Sequence, residues 1–173
     1  MPQEQDISNY INGIKSKMGI ETTWKLEIER GLIAKLAEAI GDPNPLWNDR
    51  EYASKTRYGR IIAPPSFFGS GMMFGWEMCI NPPRFESIRI PGGESQKPTT
   101  IPMLTNVVDG GSEREFYKLV GEGDVITTVS KLADVSVRES KKFGKMVFLL
   151  LENVHWNESG EMVAKCTRRV ITY

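Results

Sequence analysis

The C-terminal part of the chain constrains the fold most. Val125–Val137, Met146–Val154 and Met162–Thr172 are strand-like runs, separated only by the turn signals Lys142–Gly144 and Asn157–Gly160. Strands joined this closely pair antiparallel, because a parallel pair needs a crossover of about a dozen residues or more. Leu104–Val108 and Arg114–Leu119 extend the pattern toward the N-terminus, ahead of the turn Gly121-Glu122-Gly123-Asp124. Val147–Leu151 is apolar without alternation, so one sheet face is expected to meet a helix while the other stays open to a second subunit.

The helix for that face is Ser66–Cys79, a run rich in Phe, Met, Gly and Trp with hardly any charge. It follows Pro64-Pro65, and proline is welcome in a first helical turn. Its apolar residues occupy all sides, so it should be covered all round. One buried helix and an antiparallel sheet make an α+β architecture in which the sheet wraps the helix. Upstream, Ile7, Tyr10, Ile11, Ile14 and Met18 recur at helical spacing after Asp6, an expected N-cap, and Gly19 ends the run. Residues 1–22 are read as an amphipathic extension and 23–173 as the domain. Trp24, Leu26 and Ile28 alternate with Lys25, Glu27 and Glu29, which predicts a half-buried strand. Leu32, Ile33, Leu36, Ala37 and Ile40 return to helical period, closed by Gly41. A short helix is expected over Asp49–Lys55, and Asn81–Thr100 reads as irregular.

Charge narrows the function classes. Basic and acidic residues balance at 22 each, without a basic stripe, so nucleic acid is not an expected partner. No apolar run approaches the ~18 residues of a membrane span, and residues 1–18 lack the apolar core of a secretion signal. Cys79 and Cys166 lack metal-ligand spacing and are too few for a disulfide framework, which suits a reduced cytoplasm. The only histidine is His155, so any Ser-His triad or His-based metal site would have to be built on it. Its place on a strand reads as an ordinary surface or interface histidine, and no metal site is expected.

Three stretches carry a resemblance. They are Ala39-Ile40-Gly41-Asp42-Pro43-Asn44-Pro45-Leu46-Trp47, Tyr58-Gly59-Arg60-Ile61-Ile62-Ala63-Pro64-Pro65-Ser66-Phe67, and Asp109-Gly110-Gly111-Ser112-Glu113 followed by Gly123-Asp124. In this order the chain, from Thr23 to Tyr173, resembles the MaoC-like hydratase/dehydratase family, in particular its FAS1-like dehydratase or MaoC N-terminal group. The resemblance implies a hotdog fold, an antiparallel β-sheet wrapped around a central buried α-helix. It also implies hydration of trans-2-enoyl thioesters, or dehydration of 3-hydroxyacyl thioesters, carried on coenzyme A or an acyl carrier protein. No cofactor is implied, because the thioester is the substrate.

In catalytic members of that family an Asp, and a His five positions later, hold one water. Adding water across a conjugated double bond needs a base for the water proton and an acid for the α-carbon. The thioester oxygen gains charge and needs a donor, which the family takes from a backbone N–H at the start of the hotdog helix. Asp42 matches the family Asp, but Trp47 stands at the His position, and indole has no basic nitrogen. Catalytic members usually read Ala-His-Gly where this chain has Ala63-Pro64-Pro65, and Pro65 has no N–H to donate. Both catalytic functions are therefore expected to be missing, with Asp42 a relic or a turn-former beside Pro43.

The resemblance places Asn44, Trp47, Tyr58, Pro65, Ser66, Phe67 and Gly110 around the substrate, with Lys55, Arg57 and Arg60 as candidates for the coenzyme A phosphates. Plainer readings stand beside these. Asn44 can lock its loop, Trp47 can be core, and the three cations can be solvated. Gly110-Gly111 suits a bulge or a close backbone approach. Met72, Met73, Phe74, Trp76 and Met78 can be core or the wall of an acyl tunnel. Larger family members fuse two hotdogs, and the first half looks like this chain. The expected partner is therefore a separately encoded catalytic hotdog subunit, in a heterodimer or a dimer of heterodimers. The rival expectations are a self-sufficient weak hydratase using Asp42, and an acyl-CoA-binding scaffold for another enzyme such as a thiolase or aldolase.

Overall fold

The computed structural model describes residues 4–68 and 106–173. Helix α1 covers Glu4–Lys15, strand β1 Glu21–Glu27, helix α2 Arg30–Ile40 and the short helix α3 Arg50–Ser54. The remaining strands are β2 (Val107–Phe116), β3 (Val125–Ser140), β4 (Gly144–Trp156) and β5 (Met162–Thr172). They form one five-stranded sheet in the order β1-β3-β4-β5-β2, with every neighbouring pair antiparallel.

Several boundaries differ from the sequence reading; β1, β3 and β4 each run two or more residues beyond the expected strands. Helix α1 begins at Glu4, so Asp6 lies inside the helix rather than capping it. The runs Leu104–Val108 and Arg114–Leu119 are not two strands. Val107–Phe116 is continuous, and the register shift between Asp109 and Ser112 absorbs Gly110-Gly111 as a bulge. Gly111 sits at φ 101°, where a side chain is strained, and the Asp109 carboxylate accepts its N–H at 2.8 Å. Of the expected helix Ser66–Cys79, Pro65–Phe67 form a 3-10 turn. The helix beyond Phe68, the irregular stretch Asn81–Thr100, the start of Leu104–Val108 and the methionine-rich candidates lie outside the described residues.

The two faces of the sheet differ in chemistry. One carries a charge ladder: Lys131 bridges Glu21 at 3.8 Å and Glu152 at 3.2 Å, and Lys165 meets Glu152 at 2.9 Å. The other carries two apolar clusters. In the first, Ile126, Val163, Ala164 and Cys166 pack with Leu32, Ile33, Leu36, Leu46, Trp47, Ile61 and Phe67. In the second, Leu132, Val135, Val147, Leu149 and Val170 meet Ile14, with Tyr10 and Ile11 of α1 against them. Burial of such side chains is worth about 1.5–3 kcal/mol each, so α1 is held by its apolar stripe. Among the described residues, no helix is long and apolar enough to cross a membrane.

Candidate functional site

Helix α2 ends at Gly41, and the following loop is tied by its own side chains. The Asp42 carboxylate accepts the Asn44 N–H at 3.1 Å, and the Asn44 side-chain oxygen accepts the Leu46 N–H at 3.0 Å. Asn44 thereby caps the 3-10 turn Pro45–Trp47. This turn drives Leu46 and Trp47 into the first cluster, where Trp47 is 8% exposed and its Nε1 has no partner among the described residues. Asp49 then caps α3 through the Tyr52 N–H at 3.0 Å.

The second stretch is stitched to the Gly121–Asp124 turn. Ala63 donates to the Val120 carbonyl at 2.8 Å, Glu122 donates to the Ile61 carbonyl at 3.1 Å, and Ile62 bridges Gly121. A Cβ at Gly121 would collide with the Ile61 carbonyl oxygen, so this approach requires glycine. Arg60 grips Asp124 with two bonds, at 2.6 and 2.7 Å, and Arg50 pairs with Glu122. The same turn receives Ile28, whose N–H donates to the Asp124 carbonyl at 2.8 Å, so the start of α2 is held there too. The 41–49 loop, the 58–67 stretch and the Gly121–Asp124 turn thus close around one apolar cluster.

The site candidates take distinct positions. Tyr58 packs on the cluster and its hydroxyl accepts from Arg57 at 2.6 Å, with the Arg57 guanidinium 4.8 Å from the ring centre. Pro65 and Ser66 are exposed and Phe67 is fully buried. Lys55 pairs with Glu51 one helical turn back at 2.6 Å, and both are exposed. Arg60 is committed to Asp124, whereas Arg57 keeps an exposed cationic edge. Gly110 stands apart at the β2 bulge, against Arg169.

His155 departs from the surface reading: it is 3% exposed. Its Nδ1 lies 2.8 Å from Thr128 Oγ1, its ring centre is 4.8 Å from that of Phe68, and its Nε2 has no partner among the described residues. Burial pushes its pKa down to about 4, so the ring is neutral near pH 7. Alternation on β4 alone could not reveal this, because burial comes from cross-strand neighbours fixed only by register. Among the described residues, no group of His, Cys, Asp and Glu is arranged to hold a metal ion.

The sequence profile of the "FAS1-like, dehydratase domain region" matches residues 16–166. The chain belongs to the FAS1-like dehydratase domain family. This domain is 26% identical over 145 residues to a "Probable enoyl-CoA hydratase alpha subunit" from Thermomonospora curvata. That match takes in 82% of this chain but 44% of the relative, so the chain spans less than half of that protein's length. In three dimensions the FAS1-like domain is similar to a chain of the "ChsH1-ChsH2 complex" of Mycobacterium tuberculosis. The TM-score is 0.63 at 20% identity, covering 99% of this chain and 93% of that one. It is also similar to the unliganded "R-Hydratase PhaJ1" of Pseudomonas aeruginosa, with TM-score 0.58, 17% identity and coverage of 90% and 81%. These likenesses establish the α+β hotdog fold for the FAS1-like domain.

Proposed function

We propose that this chain is the substrate-shaping hotdog subunit of a MaoC-like (R)-specific enoyl-thioester hydratase or 3-hydroxyacyl-thioester dehydratase of the cytoplasm. A partner hotdog subunit supplies the Asp/His pair, the water and the oxyanion donor. The observation that carries this reading is the burial of Trp47 in the core, at the position where the family motif holds its imidazole. An indole buried there can wall a pocket but cannot exchange a proton near neutral pH. Asp42, bonded to the Asn44 amide, serves the turn. Pro65, in the 3-10 turn, offers no N–H to a thioester oxygen.

The pairing surface in this reading is β2. Among the described residues it is the sheet edge opposite β1, and it is exposed along nearly its whole length. Val107, Val108, Phe116, Tyr117 and Leu119 are exposed apolar or aromatic residues on or beside it. An unpaired edge with such side chains is a template for another strand. The name of the Thermomonospora relative, an alpha subunit, also supports a partner. Asn44, Trp47, Tyr58, Ser66 and Phe67 shape this chain's share of the pocket, and Gly110, apart from them at the β2 bulge, does not. Arg57, with its exposed edge, is the readier cation for the coenzyme A phosphates, and Lys55 joins it only by leaving Glu51. Arg60 instead holds the loop in shape.

The test is hydration of crotonyl-CoA by the purified chain, alone and together with the product of a neighbouring reading frame that encodes Asp-x-Asn-Pro-x-His. The pair should turn over, and the single chain should be slower by about 10²–10⁴-fold, the usual cost of a missing acid/base group. Brisk turnover by the single chain would overturn the assignment.

A further inference from the structure

Polar side chains separate the two apolar clusters on the covered face of the sheet. On β3 that face reads Ile126, Thr128, Ser130, Leu132, with Ile126 in the first cluster and Leu132 in the second. The register sets His155 opposite Thr128 and Asn153 opposite Ser130 on β4, and Thr22 opposite Ser130 on β1. A row Thr22–Ser130–Asn153–Cys166–Arg114 therefore crosses all five strands. Beside it runs Trp24–Thr128–His155–Ala164–Phe116, reaching the β2 edge.

This band is buried, and some of its polar atoms lack a partner among the described residues. Thr128, Ser130 and His155 are at most 5% exposed. The buried atoms Thr22 Oγ1, His155 Nε2 and, on the first cluster, Trp47 Nε1 have no hydrogen-bond partner among the described residues. Each such orphan costs about 1–3 kcal/mol, and native proteins retain few of them. His155 is also held in place. Thr128 anchors Nδ1 and Phe68 flanks the ring, which leaves Nε2 as the unengaged vertex.

We propose that His155 Nε2 anchors an oxygen substituent on the acyl chain, so that the thioester accommodated by this subunit is oxygenated beyond its reacting carbons. This rests on the acyl-thioester reading above and narrows its substrate class. A plain hydrocarbon chain laid against this band would leave every one of these polar atoms unpaired. A hydroxyl suits the site whichever way the Thr128–His155 proton lies. If Thr128 donates to Nδ1, Nε2–H is a donor; if Nδ1–H donates to Thr128, Nε2 is an acceptor. Because the imidazole is neutral, the preferred group is an uncharged hydroxyl or ketone rather than a carboxylate.

His155 is the chain's only histidine, which makes the test direct. The full chain, with ¹⁵N-labelled histidine and in complex with its catalytic partner, is titrated with decanoyl-CoA and with hydroxydecanoyl-CoA probes bearing the hydroxyl at successive carbons beyond the third. At least one hydroxylated probe should bind about tenfold more tightly than decanoyl-CoA and displace the imidazole ¹⁵N resonances, as one added buried hydrogen bond would. The preference should vanish in His155→Phe and shrink in Thr128→Val, which keeps the imidazole but frees the ring. Decanoyl-CoA binding as tightly as every hydroxylated probe, with silent imidazole resonances, overturns the anchor and leaves the subunit reading standing. If none of the CoA esters binds, the subunit reading itself fails and the anchor falls with it.

Discussion

The Arg60 guanidinium and the Asp124 carboxylate meet through two parallel bonds, and the second carboxylate oxygen also accepts the Gly121 N–H at 3.0 Å. One side chain thereby orients the 58–67 stretch against the turn that holds the start of α2. Such fork-to-carboxylate pairs are stronger than neutral hydrogen bonds, though partial exposure here weakens the Coulomb gain. Asp124→Asn should destabilise the fold by about 1–2 kcal/mol, read as a lower urea midpoint with an unchanged slope. An unchanged midpoint would mean that the backbone bonds alone hold the turn.

His155 sets an acid limit on stability. Unfolded, its imidazole titrates near 6.5; folded, burial holds it at about 4. Between those values the unfolded chain binds a proton that the folded chain does not, so stability falls as pH drops from about 6.5 toward 4. The contribution is complete above that window and amounts to about 3 kcal/mol. Carboxylates held low by cations, such as Glu152 beside Lys165, also weaken the fold on acidification. Comparing urea titrations of the native chain and His155→Phe from pH 7 to pH 4 isolates the imidazole, because only the native chain should show this steeper loss. Parallel curves would contradict a buried neutral histidine.

Restoring the missing imidazole is not expected to restore catalysis. Trp47→His leaves Pro65 without an N–H, so hydration of crotonyl-CoA by the single chain should stay near background. Adding Pro65→Gly returns the donor and should raise the rate above that of either single variant. Trp47 is part of the first cluster, so its replacement should also destabilise the fold, by up to the about 3–5 kcal/mol of a Trp-to-Ala truncation, and assays need a folding check by circular dichroism. Brisk hydration by Trp47→His alone would show that Pro65 is not the second defect.

Association through β2 should be sensitive to charge placed on that edge. Val108 and Phe116 are 40% and 46% exposed, so Val108→Lys with Phe116→Lys should leave the chain folded, as circular dichroism would read, while weakening capture of the catalytic partner at least about tenfold. Titration of labelled partner, followed by fluorescence anisotropy, gives the ratio. Equal affinity for the native and doubly charged chains would place the contact elsewhere.

Elements governed by local chemistry were legible in the sequence. Helix α2 with Gly41 behind it, the Asp49-led helix and β5 all lie where periodicity and turn residues put them. The bulge at Gly110-Gly111 was legible too, but the continuity of β2 through it was not, because only pairing with β5 joins the two flanking runs into one strand. The motif stretches announced a family, yet their convergence on the Gly121–Asp124 turn depends on contacts distant in sequence, such as Arg60 with Asp124. His155 failed for the same reason. A histidine on a strand has no sign of its own depth, and Thr128 and Ala164 become its neighbours only through sheet register.

The alternating charges Glu21, Lys131, Glu152 and Lys165 give the sheet a direction of growth. Stacking another molecule on that face would strip water from the whole ladder at once, whereas extending the hydrogen-bonded rows sideways leaves it wet. Higher assemblies of this protein should therefore widen like a ribbon on that side rather than thicken into a sandwich.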